Sequence, residues 1–218
     1  ERYGALFGTS FLRDADGHIV HENSAGYPQP VIDNNRKILG FGVAPEQIGL
    51  GASFRYKDWN ASLLVEGKVG GQIMSGSNAE MLGRGLHKMT VPAGGREAGF
   101  TPDGVMEDGS AVSQSLTVAQ QQNYWERYND AAEAGIYDAD YMRLRNVSIG
   151  YNLPSSMLEG TSIESASISL IGKNLFFLSN SVDNIDPESA YNSNNSQGLE
   201  YWGLPVPRTV GVNVNLKF

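Results

Sequence analysis

Thr209-Val210-Gly211-Val212-Asn213-Val214-Asn215-Leu216-Lys217-Phe218 is the stretch that decides the fold. Val210, Val212, Val214, Leu216 and Phe218 occupy every second position, with Thr209, Gly211, Asn213, Asn215 and Lys217 between them. Successive side chains of a strand point to opposite faces, so the run predicts a strand with one apolar face and one polar or glycine face. Four more segments of the same period lie upstream. Over residues 48–56, Ile48, Leu50, Ala52, Phe54 and Tyr56 oppose Gly49, Gly51, Ser53 and Arg55. Over 61–73, Ala61, Leu63, Val65, Val69 and Ile73 oppose Ser62, Glu66, Lys68 and Gln72, and the turn at Lys57-Asp58-Trp59-Asn60 makes the two a hairpin. Over 141–153, Val147, Ile149, Tyr151 and Leu153 share a face, but Met142 and Leu144 have the opposite parity, which predicts a bulge near Arg145-Asn146 or a stretch outside the membrane. Over 163–177, Ala166, Ile168, Leu170 and Phe176 oppose Ser165, Ser167, Ser169 and Lys173. The fifth strand is taken as 208–218.

Composition admits a soluble domain and a transmembrane barrel alike. The 218 residues are 40% hydrophobic with a mean hydropathy of -0.30. No run approaches the ~20 consecutive apolar residues of a spanning helix, whereas a barrel strand needs only ~9–11 alternating ones. The net charge of -8 argues against nucleic-acid binding, which needs a clustered basic face. With no cysteine, disulfide scaffolds and cysteine-based zinc sites are excluded. The chain starts at Glu1 without the regions of a signal peptide, so a fragment or processed product is expected.

The connections carry the barrel argument. Those at 57–60 and 154–162 are short, and those at 74–139 and 178–207 are very long. A soluble domain rarely holds connections beyond ~12–15 residues without structure of their own. Outer-membrane barrels pair short periplasmic turns with long extracellular loops. Residues 1–46, with a possible strand at Tyr3–Leu12 and turn-rich sequence around Pro28, Pro30 and Asp33-Asn34-Asn35, are placed with the extracellular loops, and 47–218 with the barrel strands. Within the first long loop, Thr117 is a candidate cap of a helix running to about Ala134 and ended by Gly135.

Tyr141-Met142-Arg143-Leu144-Arg145-Asn146-Val147-Ser148-Ile149-Gly150-Tyr151-Asn152-Leu153-Pro154, preceded by Ile136-Tyr137-Asp138-Ala139-Asp140, resembles the signature strand of SusC/RagA-type TonB-dependent transporters. Gly172-Lys173-Asn174-Leu175-Phe176 resembles the next strand of that family and Asp186-Pro187-Glu188 its following loop. Pro207-Arg208-Thr209 with Gly211 and Phe218 resembles its last strand. The resemblance is strong over 136–218, fair over 1–73 and poor over 74–135. It implies an all-β fold in which this chain supplies the last strands of a 22-stranded antiparallel transmembrane barrel, filled by a plug domain. It further implies the outer membrane of a Gram-negative bacterium of the Bacteroidetes, TonB coupling through an N-terminal part, and a SusD-like surface lipoprotein as partner. The substrate would be an oligosaccharide or a peptide, imported without chemistry and without a cofactor.

Candidate sites follow from residue types. Tyr124, Trp125 and Tyr128 in the first long loop, and Tyr191, Tyr201 and Trp202 in the second, are candidate substrate-stacking surfaces, although each set serving as its loop's own small core is the reading we favour. Asp14-Ala15-Asp16-Gly17 followed by Glu22 has part of the oxygen-ligand spacing of a calcium loop, although an Asp-Gly β-turn between Phe11-Leu12 and Ile19-Val20 is the reading we favour. His18, His21 and His87 form no ligand set and are read as solvated loop residues. Arg143, Arg145, Glu66 and Lys68 are read as lumen or rim charges that pair within the protein before they touch substrate. No phosphate loop, nucleophile elbow or pair of catalytic carboxylates is present, so an enzyme is not predicted. The rival from another class is a secreted soluble β-sandwich that binds carbohydrate.

Overall fold

The computed structural model describes residues 3–189 and 197–218. Along the chain it places β1 (Ala5–Phe11), β2 (Val20–Ser24), β3 (Tyr27–Pro30), β4 (Ile32–Phe41), β5 (Glu46–Tyr56), β6 (Trp59–Val69) and β7 (Gln72–Ser75). Next come α1 (Gly76–Gly83), β8 (Val105–Met106), α2 (Val118–Asn129), β9 (Ile136–Asp138) and β10 (Tyr141–Asn152). The chain ends with β11 (Ser165–Lys173), β12 (Phe177–Asn180), β13 (Leu199–Glu200) and β14 (Thr209–Lys217). Two units alternate along this order. The first comprises residues 1–43, 71–138 and 189–203, and the second comprises 44–70, 139–188 and 204–218.

The second unit is one antiparallel sheet in the order β14-β11-β10-β6-β5, with β12 also paired to β10. Its register explains the alternation. Val212 lies opposite Leu170, Leu170 opposite Ile149, Ile149 opposite Ala61 and Ala61 opposite Phe54. The neighbouring row runs Val214, Ile168, Tyr151, Trp59, Tyr56. Directly opposed residues of an antiparallel pair share a face, so the apolar positions of all five strands fall on one side of the sheet. The other side carries rows such as Asn213, Ser169, Gly150, Asn60 and Arg55. Val212 and Val214 stay 65% and 56% exposed, and Leu170 and Phe54 54% and 67%, so this apolar face is not a core. The five strands are 9 to 12 residues long, the length a tilted membrane-spanning strand requires.

The parity change in β10 has a physical cause. Leu144 is opposite Val65 and Asn146 is opposite Leu64, so Arg145 is an extra residue with no opposite number on β6. The bulge turns Met142 and Leu144 onto the same face as Val147 and Ile149. A matching irregularity follows β11. Asn174 adopts a left-handed φ of 51° and its N–H donates to the Arg145 carbonyl at 2.9 Å. The strand expected over 163–177 is therefore two pieces, β11 and β12. The strand expected over 61–73 also divides: β6 ends at Val69, Gly70 turns with φ 81°, and Ile73 lies in β7 of the other unit. Ile73 shares the parity of the β6 apolar face, which is why alternation alone carries the strand too far.

Within the stretches expected as loops, the first unit forms further elements over 1–43, 71–138 and 189–203, and β1 lies inside the possible strand at Tyr3–Leu12. β1 pairs with β4, β2 sits between β3 and β8, and β7 sits between β13 and β9. β2, β3, β7, β8, β9 and β13, of two to five residues, are too short to display a period, whereas the ten-residue β4 carries the unbroken polar run Asp33-Asn34-Asn35-Arg36-Lys37 and so shows no alternation. Ser75 caps α1, its side chain accepting from the Asn78 N–H at 3.0 Å. The predicted cap of α2 is present at Thr117, whose N–H donates to the Gln120 side chain at 2.9 Å, but the helix stops at Asn129 and a separate 3-10 turn occupies Ala132–Gly135. The core of this unit is Tyr27, Leu82, Leu116, Tyr124 and Trp125, with Phe100, Tyr128 and Ala134 packed around it.

Candidate functional site

On the polar face of the sheet, β10 carries an ionic network. Arg143 is buried; its Nη2 donates to Asp186 Oδ2 at 2.5 Å and its Nη1 to Glu188 Oε2 at 2.7 Å. Its guanidinium carbon lies 4.0 Å from the centroid of the Phe177 ring. Arg145, in the bulge, donates through Nη2 to Glu188 Oε1 at 2.7 Å and through Nη1 to Glu188 Oε2 at 3.0 Å. Its Nε donates to Glu66 Oε2 at 2.7 Å, and Nη1 also reaches Asn174 Oδ1 at 2.8 Å. The Tyr141 hydroxyl donates to Glu188 Oε1 at 2.8 Å. Asp186 Oδ2 further accepts the Val206 N–H at 3.0 Å. Burial alone would push the Glu188 carboxyl up, but hydrogen bonds from Arg145 and Tyr141 and the two guanidinium charges outweigh it and hold the group below the ordinary glutamate range. Permanently charged arginines tied to carboxylates move no protons at neutral pH. The network instead straps the 186–188 segment and the approach to β14 onto β10. Arg143, Arg145 and Glu66 thus pair inside the protein. Asp186 and Glu188, visible in the sequence only as a family-like tripeptide, are the partners that residue-by-residue reading missed.

The six candidate stacking aromatics separate into three groups. Tyr124 and Trp125 are 2% and 5% exposed and form the first unit's core with Phe100 and Tyr128 around them. Trp125 meets the Tyr124 ring edge-on, with centroids 5.2 Å apart. Tyr124, Trp125 and Tyr128 also line a recess of about 380 Å³ together with Arg13, His18 and Asp103, but most of their surface is spent on one another. Tyr124 and Trp125 thus take the packing role that the sequence favoured for them, because a loop of this length must bury aromatic surface to hold its shape. Tyr191 lies outside the described residues.

Tyr201 and Trp202 are the third group, and they are displayed. They are 53% and 62% exposed, with ring centroids 6.1 Å apart and planes at 79°. Trp202 holds a left-handed φ of 55°, a conformation that costs a side-chain-bearing residue ~1–2 kcal/mol. Glu200, 2% exposed, holds the turn. Its Oε2 accepts from Ser75 Oγ at 2.7 Å, and its Oε1 from Ser77 Oγ at 2.6 Å and from the Gly203 N–H at 3.1 Å. Ser77 Oγ in turn accepts the Trp202 N–H at 2.8 Å. At Gly76 an added Cβ would collide with the Tyr201 ring, so the ring lies directly against the first residue of α1. No local sequence signal marks Glu200 as buried; its three donors come from α1, its cap and a residue beyond the turn.

Of the acidic residues of the possible calcium loop, Asp14 and Asp16 are gathered and Glu22 is not part of the group. Asp14, Asp16 and His18 lie together, and Glu22 is on β2 opposite Gln29. Asp14 Oδ1 accepts the Asp16 and His18 N–H groups at 3.0 and 2.8 Å, and Oδ2 lies 3.2 Å from His18 Nδ1. That pattern is a carboxylate-closed turn. The expectation of solvated histidines fails at two positions. His21 is fully buried, with Nε2 3.2 Å from the Tyr124 hydroxyl and Nδ1 3.1 Å from the Ile19 carbonyl, and burial holds its imidazole below the ordinary range. His87 is 4% exposed and its Nδ1 accepts the Met89 N–H at 3.2 Å. Burial of this kind is invisible to a search for ligand spacing.

Comparison with known proteins places these features. No family model matches the chain. Over 190 residues, 84% of this chain, it is 30% identical to the TonB-dependent receptor P3 of Formosa agariphila, of which it spans 17%. Among the solved structures that match its fold, three do so over 98% of the chain. The RagAB peptide transporter superposes with a TM-score of 0.58 at 14% identity. The RagAB peptide importer does so with 0.60 at 16% in its 'closed-closed' state and 0.63 at 15% in its 'open-open' state. The chain covers 22–23% of those chains, and at such identities the likeness is one of fold.

Proposed function

Because the chain belongs to the TonB-dependent transporters of the SusC/RagA type, we propose that it forms the C-terminal barrel wall and extracellular loops of an outer-membrane importer. The observation that carries this reading is the register of the second unit, which sets the apolar residues of five strands on one exposed face. A soluble β-sandwich would cover such a face with a second sheet. Lipid is the solvent in which it is stable uncovered, and the serine- and asparagine-rich rows behind it suit a lumen.

In this reading the sheet is the last part of a 22-stranded barrel around a plug domain, driven through TonB and capped by a SusD-like lipoprotein. The cargo is an oligosaccharide or a peptide. The protein performs no chemistry on it and needs no cofactor; it supplies a path and a gate. The network of Arg143, Arg145, Asp186 and Glu188 fixes loop to wall. The test is fractionation of the full-length protein. It should be found with the outer membrane and need detergent to stay monodisperse; a monodisperse species in plain buffer would refute the proposal.

A further inference from the structure

The turn at Tyr201-Trp202 is built like a binding platform, and no role in the fold accounts for it. Two large aromatic residues in succession are more than half exposed, in a unit whose other clustered rings are packed together. An extended backbone would send their side chains to opposite sides. The left-handed Trp202 breaks that alternation and brings the rings to 6.1 Å at 79°, forming two walls of an open corner. A strained backbone at an exposed position persists only where its surroundings over-determine it. Here the Glu200 carboxylate does so, buried and held by two serine hydroxyls and a backbone N–H. The Tyr201 ring rests against Gly76 at the start of α1, where any side chain would displace it. A rigid aromatic pair lets a ligand bind without the entropic cost of ordering the site.

The chemistry of the corner points to one ligand class. Among the described residues no lysine or arginine stands over either ring, and the one carboxylate of the turn is buried beneath it. Among the described residues, therefore, no cation is held over either ring to meet a carboxylate or sulfate group of a ligand stacked on it. The faces of both rings carry negative π-density, which attracts the weakly positive C–H groups of a saturated ring. The Tyr201 hydroxyl and the Trp202 indole N–H supply polar handles beside them. We propose that Tyr201 and Trp202 form a stacking subsite for a neutral pyranose ring of an oligosaccharide. The proposal rests on the importer reading only for what becomes of the sugar after capture.

The test uses the full-length protein purified in detergent, with cellohexaose, mannohexaose, xylohexaose and laminarihexaose titrated by calorimetry. At least one should bind. Trp202→Ala should weaken that binding by about tenfold or more, Trp202→Phe by less than about threefold, and Tyr201→Ala by an intermediate factor, because the larger ring offers the larger stacking face. Both residues are exposed, and an unchanged thermal midpoint in each variant shows that the fold is kept. Failure of all four sugars to bind, binding of a mixed tripeptide library instead, or equal affinity of the wild type and Trp202→Ala overturns the subsite. Radiolabelled uptake by cells separates the two claims. Sugar bound through Trp202 but never imported contradicts the importer reading alone, and import with affinity indifferent to Trp202 contradicts the subsite alone.

Discussion

Arg145 grips Glu188 with both arms of its guanidinium, Nη2 to Oε1 at 2.7 Å and Nη1 to Oε2 at 3.0 Å. Because Arg145 is the bulged residue of β10, the device that puts the strand's apolar residues in phase also frees a cation to hold the 186–188 segment. Bidentate pairs fix direction as well as distance, so this contact sets where the second long connection leaves the sheet.

Breaking the buried half of the network should matter more than breaking its exposed half. Arg143 and Asp186 side chains are 3% and 5% exposed. Asp186→Ala removes one of the two carboxylates that hold the buried Arg143 guanidinium, which keeps Glu188, and is expected to cost ~1.5–3 kcal/mol. The Glu66 side chain is 42% exposed, and Glu66→Gln should cost less than ~1 kcal/mol. Thermal unfolding of the detergent-purified full-length protein, read as loss of the compact band in gels, ranks the two; equal midpoints would contradict the assignment.

The Glu188 carboxyl is held below its ordinary value of 4.5. A depressed carboxylate contributes stability above the unfolded-state value, and loses it as pH falls through the lower folded-state value. The contribution should thus be intact at pH 6, begin to fall near 4.5, and vanish only below the folded value. Unfolding midpoints taken across this range should show a slope that Glu188→Gln reduces. A wild-type loss already complete at pH 5.5 would place the linkage elsewhere.

His21 is linked to pH in another window. Burial lowers its folded-state value from the ordinary 6.5, so between the two values the unfolded chain binds a proton that the folded one refuses. Stability of the first unit should therefore be complete above 6.5 and decline as pH falls toward the folded value. Hydrogen exchange over residues 20–30, corrected for intrinsic rate, should quicken between pH 7.5 and 5 in the wild type and not in His21→Gln. Identical protection at both values in the wild type would count against a neutral buried imidazole.

Trp125→Ala tests the packing role of the first loop's aromatics. Removing a 5% exposed tryptophan from a small core is expected to cost ~3–5 kcal/mol. Protection across α2 and β3 should fall while the β11–β14 ladder keeps its own. A variant with unchanged protection and impaired ligand binding would restore the stacking role.

The sheet was legible because its signal is dense: a period of two sustained over nine or more residues, repeated five times and matched in register. The bulge was legible for the same reason, since one inserted residue flips parity and Met142 and Leu144 display the flip. Strand ends were not. Ile73 keeps the parity of β6 while belonging to β7, and nothing local distinguishes the two. The site was legible as residue types rather than as places. Tyr124 and Tyr201 look alike in the sequence, and only long-range packing by Tyr27, Leu82 and Leu116 buries one, while Ser75, Ser77 and Glu200 hold the turn that displays the other. Glu200 and His21 were missed because burial by residues about a hundred positions away leaves no local trace.

The central claim is that the apolar face of the sheet meets lipid. The chain has no cysteine, so single cysteines at positions 210 to 216 can each carry a nitroxide label after the full-length protein is reconstituted in vesicles with any other cysteines removed. Collision with oxygen, which concentrates in the bilayer, should alternate with period two, high at 210, 212, 214 and 216 and low at 211, 213 and 215. Accessibility that is uniform along the strand, or higher throughout to a water-soluble nickel complex than to oxygen, would contradict the account.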